Sequence, residues 1–146
     1  MSAYDIVISG GRVIDPESGL DSIKNIAVSK GKIVEISDNA LVAEETIEAT
    51  DQVVSPGFID LHCHPQDTDI FTVQAQDGVT TTLELEVGTG DIDSFYKKWE
   101  GHSTINFGAS IGHIPVRMKV MNDPGVFLPS GDAGRKAASE QEISDM

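Results

Sequence analysis

Ser55-Pro56-Gly57-Phe58-Ile59-Asp60-Leu61-His62-Cys63-His64 is the stretch on which the reading of this chain turns. Behind the Pro56-Gly57 break, residues 58 to 64 read as one short, buried-type strand ending in two histidines spaced i, i+2. Successive side chains of a strand point to opposite faces. Phe58, Asp60, His62 and His64 therefore share one face, and Ile59, Leu61 and Cys63 share the other. Two imidazoles on one face at a strand end begin a chelate, and neutral imidazole is the commonest protein ligand for zinc-like metals. A lone histidine is more often a surface or satisfied core residue, whereas a pair behind a Pro-Gly turn points to metal. Cys63 faces the other way, where small apolar packing suits it better than thiolate ligation.

Downstream, strands and helices alternate. Residues 69 to 77 fit a short helix stopped by Gly78, and Val79 to Val87 form a second strand closed by Gly88-Thr89-Gly90. Residues 92 to 99 look helical, with Asp91 or Asp93 near the start and Gly101 just past the end. Thr104 to Ile111 read as a third strand, followed by a Gly112-His113-Ile114-Pro115 loop. This is the βαβ alternation of a parallel sheet. Residues 120–146 read as a loop between further elements, around Pro124, Pro129 and the Gly131–Gly134 region. Ser139-Glu140-Gln141-Glu142 then has the form of a capping box, and the chain stops within the helix it starts, as a cut chain would.

Upstream, residues 1–55 read as short strands between turns. Asp5–Ile8 is closed by Gly10-Gly11, Arg12–Asp15 by Asp15-Pro16-Glu17-Ser18-Gly19, and Lys30-Gly31-Lys32 turns Asn25–Val28 into Ile33–Ile36. Thr46–Ala49 and Gln52–Val54 complete the set. β-branched residues with turns at this density predict a small antiparallel β-sandwich acting as scaffold. The division expected is residues 1–55 and residues 56–146.

Composition narrows the function. The chain has 146 residues, 39% hydrophobic and 23% charged, which is compatible with a folded globular protein. A formal charge of −14 argues against nucleic acid and against an anionic membrane surface. No apolar run reaches the ~20 residues of a membrane span, and the Met1 to Gly11 start lacks the basic and apolar regions of a signal peptide. One cysteine cannot form an internal disulfide. A cytoplasmic location follows as the expectation.

Further chemistry sits at the ends of the second and third strands. On Val79–Val87, Thr80, Thr82, Glu84 and Glu86 share one face, and Thr81, Leu83, Leu85 and Val87 the other. If the apolar face packs under helices, two carboxylates point inward, where burial is costly unless a metal or partner compensates. Glu86 lies nearer the C-terminal strand end, where parallel α/β sheets place their sites, and is the preferred ligand over Glu84. A solvated edge strand with ordinary alternation is the competing reading. His113 and Arg117 follow the third strand, where an arginine fork holds a substrate carboxylate or simply decorates a structural loop.

Val53 to His64, preceded by Gly10-Gly11-Arg12-Val13-Ile14-Asp15 and followed by Gly78-Val79-Thr80-Thr81, resembles the N-terminal part of the amidohydrolase superfamily over residues 4 to about 87. The Gly112-His113 … Arg117 element resembles the N-acyl-D-amino-acid deacylases, or D-aminoacylases. The resemblance implies an α/β protein: a β-sandwich, here partial, joined to a metal-dependent (β/α)8 TIM barrel, here truncated to its first strands and helices. It implies one or two divalent metals, Zn2+ foremost, with His62 and His64 as first-strand ligands. D-aminoacylases carry a metal-binding cysteine after the second strand; this chain has Leu85-Glu86-Val87-Gly88 there, and Glu86 is the replacement expected. The implied reaction is hydrolysis of a C–N amide bond by metal-activated water, on a small-molecule amide such as an N-acyl-D-amino acid.

A full barrel needs ~250 residues, so the remaining ligands and the catalytic carboxylate are expected outside this chain. The 146 residues are then inactive alone, with open sheet edges through which copies could pair into a homo-oligomer. Two alternatives stand beside this reading. One is a dihydroorotase- or dihydropyrimidinase-like cyclic amidase; the other is a non-catalytic binding or interaction module.

Overall fold

A computed structural model describes residues 4–65 and 67–146; the expectation for the leading residues 1–3 lies outside them. The chain divides into two compact units, Met1–Pro56 and Gly57–Met146.

The first unit is one five-stranded sheet built around β1 (Tyr4–Asp15). β2 (Leu20–Ser29) pairs antiparallel with β1, and β3 (Lys32–Ser37) antiparallel with β2. The β2–β3 turn is Lys30-Gly31, both at positive φ (52° and 72°), the conformation that matches the twist of a two-residue hairpin. β4 (Ala43–Glu48) and β5 (Val53–Val54) both lie on the other edge of β1 and run parallel to it. This corrects the antiparallel sandwich expected from the sequence. The described residues of this unit form a single mixed layer. Strand direction is set by which edge a returning segment reaches, and alternation within the segment carries no record of that.

Gly10-Gly11 is likewise not a turn. β1 runs through it, with a register shift between Ile8 and Gly11 and Gly10 at φ 71°, so the glycines form a bulge. A Cβ on Gly11 would lie 2.5 Å from Val54 Cγ2 and 3.0 Å from Ala49 Cβ, so the strand passes too close to its neighbours for any side chain. Val7, Val13, Ile26, Ala27 and Ala49 are the buried hydrophobic side chains of this layer.

The second unit holds a parallel sheet in the order β6 (Phe58–Asp60), β7 (Val79–Thr89), β8 (Asn106–Ile111). α1 (Asp69–Gln76) connects β6 to β7, and α2 (Ile92–Trp99) connects β7 to β8. The expected βαβ succession is therefore present, as an open three-stranded sheet. Asp91 caps α2 by accepting the Ser94 N–H at 3.0 Å, and Lys97 and Lys98 occupy its last turn, favourable at the negative end of the helix dipole. Phe71 of α1 is fully buried, its ring 5.1 Å from Trp99 of α2 and 6.3 Å from Phe107 of β8. Those three aromatics tie both helices to the sheet.

Three sequence expectations change here. The first strand ends at Asp60 instead of continuing to His64, because Asp60 Oδ1 takes the His62 N–H at 2.9 Å and diverts it from the ladder. Its Phe58, Ile59 and Leu61 are exposed, so it is not a buried strand. The segment after β8 is a helix, α3 (His113–Val120), and not a loop. Pro115 sits in its first turn, where an N–H would have no helical partner to lose. The tail is ordered by one carboxylate: Asp123 accepts N–H bonds from Gly125, Ser130, Gly131 and Ala133 at 2.9–3.0 Å. The capping box at Ser139 forms as expected and opens α4 (Glu140–Asp145).

Candidate metal centre

His62 and His64 lie just beyond β6, on the segment that leads toward α1. An isolated bridge between His62 and Glu84 and a Cys63 N–H to Leu83 carbonyl bond (3.4 Å) hold that segment beside β7. The two imidazole rings approach edge to face with centroids 5.2 Å apart. Cys63 is buried and free.

Glu84 and Glu86 play different parts. Glu84 is buried, with Oε2 2.6 Å from His64 Nδ1 and Oε1 accepting the Gly88 N–H at 3.1 Å. Thr82 and Glu84 of β7 are buried, on the face expected to point inward, while on the other face Val87 is buried and Leu85 exposed. Hydrogen bonds make this tolerable: Glu84 is satisfied at both oxygens, and Thr82 receives a bond from Gln74 of α1. The β7–β8 register shifts between Glu84 and Thr89, and within that irregular stretch Leu85 and Glu86 are both exposed. A bulge of this kind re-aims a side chain. Glu86 Oε2 accordingly lies 3.2 Å from His64 Nε2 and 3.6 Å from His62 Nε2.

A carboxylate only accepts, so Glu84 fixes the proton of His64 on Nδ1 and leaves Nε2 as a lone pair facing the Glu86 oxygen. Two acceptors 3.2 Å apart repel unless a positive charge stands between them. A proton would serve, and so would a metal ion. One donor atom each from His62, His64 and Glu86 lies within 4.8 Å of the others, the only group of three or more such ligands among the described residues. Two imidazole nitrogens and a carboxylate oxygen match the three-ligand, open-position set of hydrolytic zinc sites.

A cleft of about 680 Å³ opens beside His64 and Glu84. Phe95, Trp99, Val126 and Phe127 supply its apolar wall, and Lys98, whose ammonium sits 4.0 Å over the Trp99 ring, supplies a cation. Neither His113 nor Arg117 lines it. Arg117 donates to the carbonyls of Ala133 (Nε, 2.7 Å) and Lys136, clamping the chain beyond Asp123 instead of offering a free fork. His113 is an exposed first-turn residue of α3. Asp60, placed on the histidine face by strand parity, instead braces His62 N and Gln74 Nε2 (2.9 Å each). Sequence reasoning ranked Glu84 only as a weak ligand candidate and did not see its role as the His64 brace. It missed Phe127 altogether, since nothing near residue 127 signals contact with residue 64.

No protein-family model matches the chain. Over 60 residues it is 47% identical to the dihydroorotase of Streptococcus pneumoniae serotype 4, a stretch covering 40% of this chain and 14% of that enzyme. Its fold matches the N-acyl-D-glutamate deacylase of Bordetella bronchiseptica, solved with zinc and a phosphonate inhibitor, with a TM-score of 0.73 at 22% identity over 97% of this chain. It also matches D-aminoacylase, described as defining a subset of the amidohydrolases, with a TM-score of 0.70 at 24% identity over 97% of this chain. In both cases the chain spans 34% of the solved protein.

Proposed function

We propose, from the likeness of this chain to a deacylase, a D-aminoacylase and a dihydroorotase, that its second unit carries the first ligands of a metal-dependent hydrolase of C–N amide bonds. The substrate class proposed is the N-acyl-D-amino acids. The observation that carries the reading is the convergence of His62, His64 and Glu86 with Glu84 behind them. Donor spacing supports it. Bonds of ~2.0–2.1 Å in tetrahedral geometry separate ligand atoms by roughly 3.3 Å, against 3.2 and 3.6 Å from Glu86 to the two imidazoles. His62, His64 and Glu86 would hold such an ion, which would supply Lewis-acid polarisation of a scissile carbonyl and activation of water near neutral pH.

The chain's own residues prepare that chemistry. Glu84 holds one tautomer of His64, Asp60 holds the His62 backbone to α1, and the Glu86 carboxylate supplies negative charge facing both imidazoles. The cleft combines apolar surface with one ammonium group, Lys98, and the carboxylates of Glu84 and Asp91, suiting a small amide with both apolar and polar parts. Its volume lies in the range of small-molecule sites. The higher TM-score of the D-aminoacylase match than of a hydantoinase match of equal coverage favours the linear amide. The 47% identity to a dihydroorotase favours a cyclic amidase as the second reading.

Zinc titration of the purified chain against a chromophoric competitor tests the metal site. One equivalent should bind, and His62→Ala, His64→Ala and Glu86→Ala should each weaken it by more than the ~10–100-fold typical of changing an outer partner. Equal affinity in all four proteins would sink the reading. The three donors include no separate acid–base residue, so the zinc-loaded chain should bind metal without hydrolysing N-acetyl-D-amino acids or dihydroorotate. Turnover of either would show that the chain's chemistry is more complete than proposed.

A further inference from the structure

We infer that Phe127, held by the Asp123-anchored loop, is a specificity-determining residue that selects substrates with an apolar group next to the scissile carbonyl. The inference rests on the metal-site reading above and adds to it the chemistry of the group recognised beside the metal.

Phe127 meets His64 edge to face, with ring centroids 5.1 Å apart and planes at 72°. His64 is thereby contacted from two sides: Glu84 at Nδ1, and Phe127 against the ring. Phe127 and His64 line the same cleft, so a molecule seated there against His64 meets the Phe127 ring. The ring is still 49% exposed, so it has surface left to cover. Val126, fully exposed, and Leu128, 52% exposed, flank it, which is costly for a loop with no apolar contact to make. Phe95 and Trp99 line the same cleft.

Asp123 makes this placement rigid enough to select. Its four backbone N–H bonds gather residues 125 to 133 around one carboxylate, so residue 127 hangs from a fixed base. The cleft volume of about 680 Å³ admits a small molecule with a short alkyl or aryl substituent and is too small for a folded partner. An acyl chain or apolar amino-acid side chain is the occupant the surfaces fit. The polar groups at the His64 end take the amide, and the aromatic wall takes the hydrocarbon.

Trp99 lines the same cleft and is the chain's one tryptophan, so its fluorescence reports occupancy locally. The probes are aceto-, butyro-, hexano- and octanohydroxamate, oxygen chelators that differ only in chain length, titrated into zinc-loaded and zinc-free protein. Full burial of a methylene gives about four-fold in affinity, and a one-sided wall should give about two-fold. Wild-type protein should therefore gain about two-fold per methylene, and Phe127→Ala should flatten that slope. Phe127→Leu should keep most of the slope. An unchanged slope in Phe127→Ala, or no binding of octanohydroxamate in either state, overturns the inference. A slope without zinc dependence would keep Phe127 and reject the metal site, so the two failures are separable.

Discussion

Replacing Glu84 by glutamine removes one acceptor while keeping the side chain's shape. In the wild type, one oxygen takes the His64 Nδ1–H at 2.6 Å and the other takes the Gly88 N–H at 3.1 Å, both away from water. Glutamine has one oxygen and one NH2 for those two donors. If its oxygen stays on Gly88, the NH2 faces His64 Nδ1 and forces the proton to Nε2, the atom that faces Glu86 and would hold a metal. If its oxygen turns to His64, the Gly88 N–H loses its partner, at about 1–3 kcal/mol for a buried unsatisfied group. The first arrangement preserves the backbone at the expense of the tautomer, and the second does the reverse. A change in the partner of a ligating histidine typically weakens metal affinity by about 10–100-fold, which is about 1.4–2.7 kcal/mol. Competitive zinc titration measures the affinity, and thermal denaturation of the metal-free protein measures the stability. Glu84→Gln should show a loss in one or both. A variant that binds zinc within two-fold of wild type and melts at the same temperature would refute the bracing role.

Two other outcomes follow from the second unit. Phe71→Ala empties the contact of α1 with Trp99 and Phe107 and should cost about 3–5 kcal/mol in urea denaturation; a loss below ~1 kcal/mol would mean that this aromatic cluster does not hold the helices. Burial pushes the Asp123 carboxyl up, but the N–H groups of Gly125, Ser130, Ala133 and Gly131 together outweigh it and hold it below its ordinary range. A depressed carboxylate contributes stability that is complete above its unfolded value and is lost as pH falls through the folded one. Amide exchange of Gly125, Ser130, Gly131 and Ala133, compared between wild type and Asp123→Asn, should therefore differ by a constant factor above about pH 5, with the difference closing below about pH 4. A difference that closes near neutral pH would assign the effect to another group.

The parts of the fold written in local signals were legible. The helix at Ile92–Trp99 announces itself through Asp91 and the one at Glu140–Asp145 through the Ser139/Glu142 box, because caps act within one turn. The Lys30-Gly31 hairpin was equally readable, since a two-residue loop dictates its own dihedral angles. Errors arose where distant segments compete for the same groups. Gly10-Gly11 looks like a turn until β5 and Ala49 crowd against it. His113–Val120 looks like a loop because its Pro115 is disallowed everywhere in a helix except the first turn.

The candidate site divides along the same line. His62, His64 and Glu86 could be named from residue type and spacing, because strand parity and strand ends are local properties of the backbone. Their roles could not be. Parity puts Glu84 and Glu86 on one face, yet the register shift between Glu84 and Thr89 sends Glu84 behind His64 and Glu86 in front of it. Arg117 was drawn to carbonyls 16 and 19 residues away, and Phe127 reached His64 from a loop that Asp123 gathers. The sequence by itself determined which residues could bind a metal, since that is a matter of donor chemistry and alternation. Only the tertiary structure decided which carboxylate braces His64 and which one faces both imidazoles, since that depends on where a bulge delivers side chains that local rules treat as equivalent.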